Sequence, residues 1–107
     1  MALETRGDPF GRHDKIVLSR PEGEFAIGMH ELPVSVGRGE DADYALGHAS
    51  VSRVHCRLER VGAFVKLVDV ASTNGTFLNG KKIKDGNYLC DGDRIRLGHV
   101  ELTVKRE

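Results

Sequence analysis

Ser72-Thr73-Asn74-Gly75-Thr76-Phe77-Leu78-Asn79-Gly80 places two Asn-Gly pairs around three residues that favour extended backbone. Asn and Gly both tolerate left-handed conformations, so each pair marks a turn. Thr76-Phe77-Leu78 is β-prone and very short. The stretch reads as a tight loop, a stub of strand and a second turn, with Ser72, Thr73 and Asn74 presented outward. Small hydroxyl and carboxamide groups on a constrained loop suit hydrogen bonding to a ligand better than burial in a core. Asn79-Gly80 reads as a hairpin turn with a structural role.

The same alternation of short apolar runs and turns extends in both directions. Lys15-Ile16-Val17-Leu18 is a compact apolar run, ended by the turn Arg20-Pro21-Glu22-Gly23. Phe25 and Ile27 alternate with smaller residues, and Gly28-Met29-His30 turns again. Leu32, Val34 and Val36 alternate with Glu31, Pro33 and Ser35, the period of a half-buried strand. Pro33 cannot donate to a ladder, so that strand is expected to be an edge or irregular there. A short strand is expected at Asp43-Tyr44-Ala45-Leu46, and Val54, Cys56 and Leu58 alternate in the next. Residues 63–70 form the longest apolar run and read as a central strand buried on both faces. Short strands follow at Lys81-Lys82-Ile83 and Tyr88-Leu89. Two alternating segments, Ile95 with Leu97 and Val100 with Leu102 and Val104, complete the chain. No window sustains helical spacing over three turns. Short strands with turns about every ten residues predict an all-β sandwich or barrel.

The 107 residues are enough for one domain with one core. Residues 1–13 are polar and broken by Gly7, Pro9 and Gly11, and are expected to form a flexible lead-in to a domain at 14–107. Sixteen basic residues balance sixteen acidic ones, so the overall field favours neither nucleic acid nor an anionic membrane. Anion binding must then come from local arrangement. There is no apolar stretch of membrane-spanning or signal-peptide length, and the expected location is the cytoplasm. Cys56 and Cys90 form no CxxC unit and are expected to be separate buried thiols.

Three polar loops carry residues suited to oxyanions: Arg38, the pair Ser52-Arg53, and Thr73-Asn74. A guanidinium forks onto oxyanions, while hydroxyls and amides fill the remaining acceptor sites of a dianion. That mix suits a phosphate carried on a peptide. The ordered set Gly37-Arg38, Ser52-Arg53-Val54-His55, Asp69-Val70-Ala71-Ser72-Thr73-Asn74-Gly75-Thr76-Phe77-Leu78-Asn79-Gly80, Gly92-Asp93 and Leu97-Gly98 resembles the forkhead-associated (FHA) domain over residues 15–105.

The resemblance implies an FHA/SMAD-like β-sandwich of about eleven strands with its binding loops at one end. It implies a module that reads phosphothreonine in partner proteins, preferring it to phosphoserine, without catalysis, cofactor or metal. The partner would be a phosphothreonine-containing protein or peptide, such as a Ser/Thr kinase substrate or another part of the same full-length protein. Carried over by position, Arg38 and the Ser52 hydroxyl contact the phosphate, with the Arg53 N–H adding a further bond. Thr73 supplies a hydroxyl or backbone donor, and Asn74 holds the ligand main chain. Gly37, His55 and Gly75 support the loops. Arg53 stands where some relatives carry Asn.

Two other functions are weighed against this one. Ser52 and His55 could be a nucleophile and its base, but no GxSxG elbow surrounds the serine. A domain of the same fold could instead dock a partner through a sheet face without phosphate. Gly37-Arg38-Gly39 lacks the GKS/T and helix of a nucleotide loop, and Asp91-Gly92-Asp93 lacks the remaining oxygens of a calcium loop.

Overall fold

The computed structural model describes residues 14–107; the lead-in expected at 1–13 lies outside them. Eleven strands form: β1 (Lys15–Arg20), β2 (Gly23–Gly28), β3 (Val34–Gly37), β4 (Tyr44–Ala45), β5 (Cys56–Val61), β6 (Phe64–Asp69), β7 (Thr76–Leu78), β8 (Lys81–Lys82), β9 (Asn87–Tyr88), β10 (Arg94–Leu97) and β11 (Val100–Arg106). They make two sheets, ordered β2-β1-β11-β10-β7-β8 and β4-β3-β5-β6-β9. All pairings are antiparallel except β3 with β4. The sheets face each other as a sandwich, the architecture expected from the period-two pattern.

Alternation decides which side chains meet in the middle. Ile16, Leu18, Ile95, Leu97, Leu102 and Val104 of one sheet pack on Val34, Val36, Leu58, Val65 and Leu67 of the other. Two expectations are corrected here. The run at 63–70 is not buried on both faces: Val65 and Leu67 are buried, but Phe64 is 57% exposed and Lys66 and Val68 are half-buried. Each strand of a two-layer sandwich has only one inner face, whatever the polarity of its outer one. Cys90 is exposed rather than buried, because it opens the turn in which its N–H donates to Asp93 Oδ2 at 2.8 Å. Cys56 is buried, and burial, with Asp69 nearby, pushes its thiol up to about 12.

Pro33 sits just outside β3. A single 3-10 turn, Met29–Glu31, and a cis Leu32-Pro33 bond precede the strand, which then pairs on both sides. The irregularity expected at Pro33 thus ends before the ladder begins. Asn79 and Gly80, at φ 51° and 87°, join β7 to β8 directly, with Leu78 opposite Lys81. Positive φ at both central residues is what a two-residue type I′ hairpin requires. The Asn79 N–H donates to the Arg94 carbonyl, its Oδ1 accepts from the Arg94 N–H, and its Nδ2 donates to Asp93.

Candidate functional site

Three connections, β3–β4, β4–β5 and β6–β7, meet at one end of the sandwich around an open groove of about 490 Å³. Arg38, Ser50, Ser52, Arg53, Thr73 and Asn74 line it together with Ala49, Val51, Val54 and Ala71. The structure therefore brings together all five residues singled out as ligand-binding, from positions up to 36 apart in sequence. Among the described residues no carboxylate lines the groove.

The loops close on one another through a few short bonds. Gly37 passes so near the next loop that a Cβ there would stand 2.0 Å from the Arg53 carbonyl oxygen. No other residue fits without moving that backbone. Beside it, the Arg38 N–H donates to the Ser52 carbonyl at 2.9 Å, and Arg38 Nη1 donates to the Val51 carbonyl at 3.1 Å. A guanidinium carries five N–H donors. One is spent holding the side chain across the loop, and the other four bond to no described residue.

His55 is fully buried beneath these loops. Its Nδ1 accepts from the Ser52 N–H at 3.0 Å and its Nε2 lies 2.8 Å from the Gly75 carbonyl oxygen. A carbonyl can only accept, so Nε2 carries the proton and Nδ1 is the acceptor. The ring is thereby a brace between the second and third loops. The same geometry removes the hydrolase reading. The only nitrogen able to take a proton is occupied by the Ser52 backbone amide, not by the Ser52 hydroxyl.

The serine hydroxyl instead accepts the Thr73 N–H at 3.0 Å. That bond uses an oxygen lone pair and leaves the Ser52 O–H proton free to donate into the groove. It also commits the Thr73 backbone donor, so the hydroxyl is the group Thr73 can offer a ligand. The Arg53 guanidinium lies 3.9 Å from Asp41, with both side chains largely exposed. An ion pair of that kind contributes little. Asn74 is exposed, and its Nδ2 donates to the Ser50 carbonyl at 2.8 Å. Its Oδ1 accepts from no described residue.

Ser72 corrects the opening expectation: it turns inward. Its hydroxyl donates to Asp69 Oδ1 and accepts the Gly75 N–H at 3.0 Å. Asp69 also accepts the Ser72 N–H and the buried Thr76 hydroxyl. Partial burial pushes the Asp69 carboxyl up. Hydrogen bonds from the Ser72 and Thr76 hydroxyls and the Ser72 N–H, with His55 nearby, together hold it below its ordinary value of 3.8. This network clamps a loop in which Ala71 takes φ 47° and Gly75 φ 88°. A left-handed alanine is unfavourable alone, and its neighbours' bonds maintain it.

The sequence reading missed Ser50. Its carbonyl holds Asn74, its Oγ accepts the His99 N–H at 2.8 Å, and its N–H donates to His48 Nδ1 at 3.1 Å. Nothing in residue type or spacing distinguishes it from an ordinary loop serine. Its role exists only because β10–β11 closes over the same loop. Asp69 had a visible signal, a carboxylate three residues before a serine, which is a local capping pattern.

Fold and groove define a β-sandwich in which three loops at one end bring a guanidinium, hydroxyls and a carboxamide to one groove. The FHA domain profile matches residues 34–98, and the chain belongs to the FHA domain family. It is 43% identical over 70 residues to the FHA domain-containing protein FhaA of Mycobacterium tuberculosis, covering 65% of this chain and 13% of FhaA. It is 31% identical over 99 residues to the glycogen accumulation regulator GarA of Mycolicibacterium smegmatis, covering 92% of this chain and 62% of GarA. The chain thus spans a fraction of these longer relatives.

Among solved structures, one described as a study of phosphothreonine-dependent FHA domain interactions superposes with a TM-score of 0.77 at 34% identity, covering 87% of this chain and 97% of that one. The FhaA FHA domain complexed with the intracellular domain of Rv3910 gives 0.73 at 36%, covering 85% and 98%. Among the described residues no helix is long and apolar enough to cross a membrane, and no group of three or more His, Cys, Asp or Glu is arranged to hold a metal ion.

Proposed function

We propose that this FHA domain is a non-catalytic module that binds phosphothreonine-containing segments of proteins in signalling or regulated assembly. One observation carries the reading: donors of three chemical kinds, the Arg38 guanidinium, the Ser52 and Thr73 hydroxyls and the Asn74 carboxamide, converge on a groove that no carboxylate of the described residues lines. A dianion with three acceptor oxygens matches that set, and the braced loops hold the donors in place before the ligand arrives. In this reading Arg38 and the two hydroxyls take the phosphate. In the same reading the Arg53 N–H adds a further bond, and Asn74 holds the peptide main chain.

The test is calorimetric titration with one peptide in phosphorylated and unphosphorylated forms. Phosphorylation is expected to strengthen binding by at least a hundredfold, since two or more charge-assisted bonds contribute roughly 1.5–3 kcal/mol each. Equal affinities would refute the proposal. They would favour phosphate-independent docking, for which the exposed Phe64–Tyr88 pair, with ring centroids 5.9 Å apart, is the available apolar surface.

A further inference from the structure

Beside the groove, on the outer face of the six-stranded sheet, Lys82, Phe77, Arg96 and Glu101 form one straight row across β8, β7, β10 and β11. We infer that the Lys82–Phe77–Arg96 part of this row is a subsite for an acidic side chain flanking the phosphothreonine, so that the domain selects ligands by charge as well as by phosphate. The inference rests on the phosphothreonine reading above.

Placement comes first. A Cβ on Gly75 would lie 3.2 Å from Lys82 Cε and 3.1 Å from the Phe77 ring, so both side chains pack directly against the residue that follows Asn74. The Arg96 guanidinium lies 3.9 Å from the Phe77 ring centroid, and its Nη1 donates to the Gly98 carbonyl at 2.7 Å. Gly98 in turn donates its N–H to the Gly75 carbonyl. A Cβ on Gly98 would stand 2.3 Å from the Ser50 carbonyl oxygen, the acceptor that holds Asn74. Both cations therefore adjoin the loop tip that would grip the ligand main chain.

Availability comes second. Neither Lys82 nor Arg96 takes part in an ion pair within 4 Å among the described residues. Glu101, opposite Arg96 in register, is the one acid in the row, and it stands at the end away from Lys82. Arg96 is held rigid by the ring and the Gly98 carbonyl, so presenting its charge costs little further ordering. An extended ligand advances about 3.3 Å per residue, which brings a side chain within a few residues of the phosphothreonine over this row.

The experiment walks a single Asp through positions −4 to +4 of an otherwise neutral phosphothreonine peptide, with Asn in the same place as reference. Wild type, Lys82→Gln, Arg96→Gln and Arg53→Gln are titrated, and each variant's fold is checked by thermal unfolding. At one or two adjacent positions wild type is expected to prefer Asp by about five- to tenfold. Lys82→Gln should reduce that ratio by about threefold, the size of one exposed charge contact. Lys82 is exposed at the end of a two-residue strand, so this variant remains informative even where loss of Arg96 disturbs packing. A phosphorylation-dependent affinity with no Asp preference anywhere overturns the inference. So does a preference lost only in Arg53→Gln. Absence of phosphate-dependent binding to every peptide would instead refute the underlying reading, so the two failures are distinct.

Discussion

The two Asn-Gly pairs, five residues apart and identical in sequence, do opposite things. At Asn79-Gly80 both residues are left-handed and every polar atom of the Asn79 side chain is satisfied within its own sheet, by Asp93 and the Arg94 N–H. At Asn74-Gly75 only the glycine is left-handed. The Asn74 side chain reaches to a different loop, and its Oδ1 accepts from no described residue. The difference does not lie in the dipeptide. One pair closes a hairpin between neighbouring strands, which fixes its partners locally. The other spans the two sheets, and although Asp69 and Ser72 clamp its loop locally, its asparagine side chain is held by Ser50, 24 residues away. A turn residue becomes part of a site when other loops converge on it and its hydrogen-bonding capacity is not consumed by its own turn.

The brace beneath Asn74-Gly75 gives the largest expected effect. His55→Ala removes a fully buried ring, leaves the Ser52 N–H without its partner and leaves the Gly75 carbonyl with only the Gly98 N–H. Denaturant unfolding should show a loss of about 2–4 kcal/mol, the combined size of a core cavity and unsatisfied polar groups. A loss below about 1 kcal/mol would mean the loops hold together without it.

Arg38→Ala comes next. Its affinity for a phosphothreonine peptide should fall by about ten- to a hundredfold, with stability altered by less than about 1 kcal/mol, because the side chain is exposed and makes one bond to the Val51 carbonyl. Unchanged affinity would remove Arg38 from the site.

Exchanging the turns' asparagines sharpens the comparison itself. Asn74→Ala should weaken the phosphopeptide by about five- to tenfold while shifting unfolding by under about 1 kcal/mol. Asn79→Ala should do the reverse, losing about 1–2 kcal/mol of stability at near-constant affinity. The same pattern in both variants would mean the two turns are equivalent after all.

The smallest effect is a pH dependence. Asp69 has a depressed carboxyl in the folded chain, so its contribution is fully present above the ordinary value of 3.8 and is lost as pH falls through the lower folded value. Asp69→Asn should therefore be less stable than wild type at neutral pH, with the gap closing only below about pH 4. A gap that does not change with acid would show that the Ser72 and Thr76 hydroxyls do not depend on the charge. Ligand affinity has a separate profile. The second phosphate ionisation lies near 6, and binding should weaken as pH drops from 7.5 to 5.5.

The sandwich was legible because each layer writes a period of two into its strands, and the hairpin at Asn79-Gly80 because its chemistry is local. The run at 63–70 misled for a physical reason: Phe64 and Val68 are apolar on an outer face, where composition alone cannot separate exposure from burial. Cys90 misled in the same way, as a small apolar residue placed by a turn. At the candidate site, Arg38, Ser52, Thr73 and Asn74 carried chemistry that could be matched to an ordered motif. The inward turn of Ser72 follows from a carboxylate three residues before it, a local signal passed over, whereas the hub role of Ser50 depends on contacts across 24 and 49 residues that no local pattern encodes.

Backbone amide NMR shifts during titration with a phosphothreonine peptide test the central claim most directly. The account predicts the largest changes at Arg38, Ser52, Arg53, Thr73 and Asn74, with Asn79 and Gly80 unmoved and no response to the unphosphorylated peptide. Changes centred on Phe64 and Tyr88, or identical responses to both peptides, would contradict it.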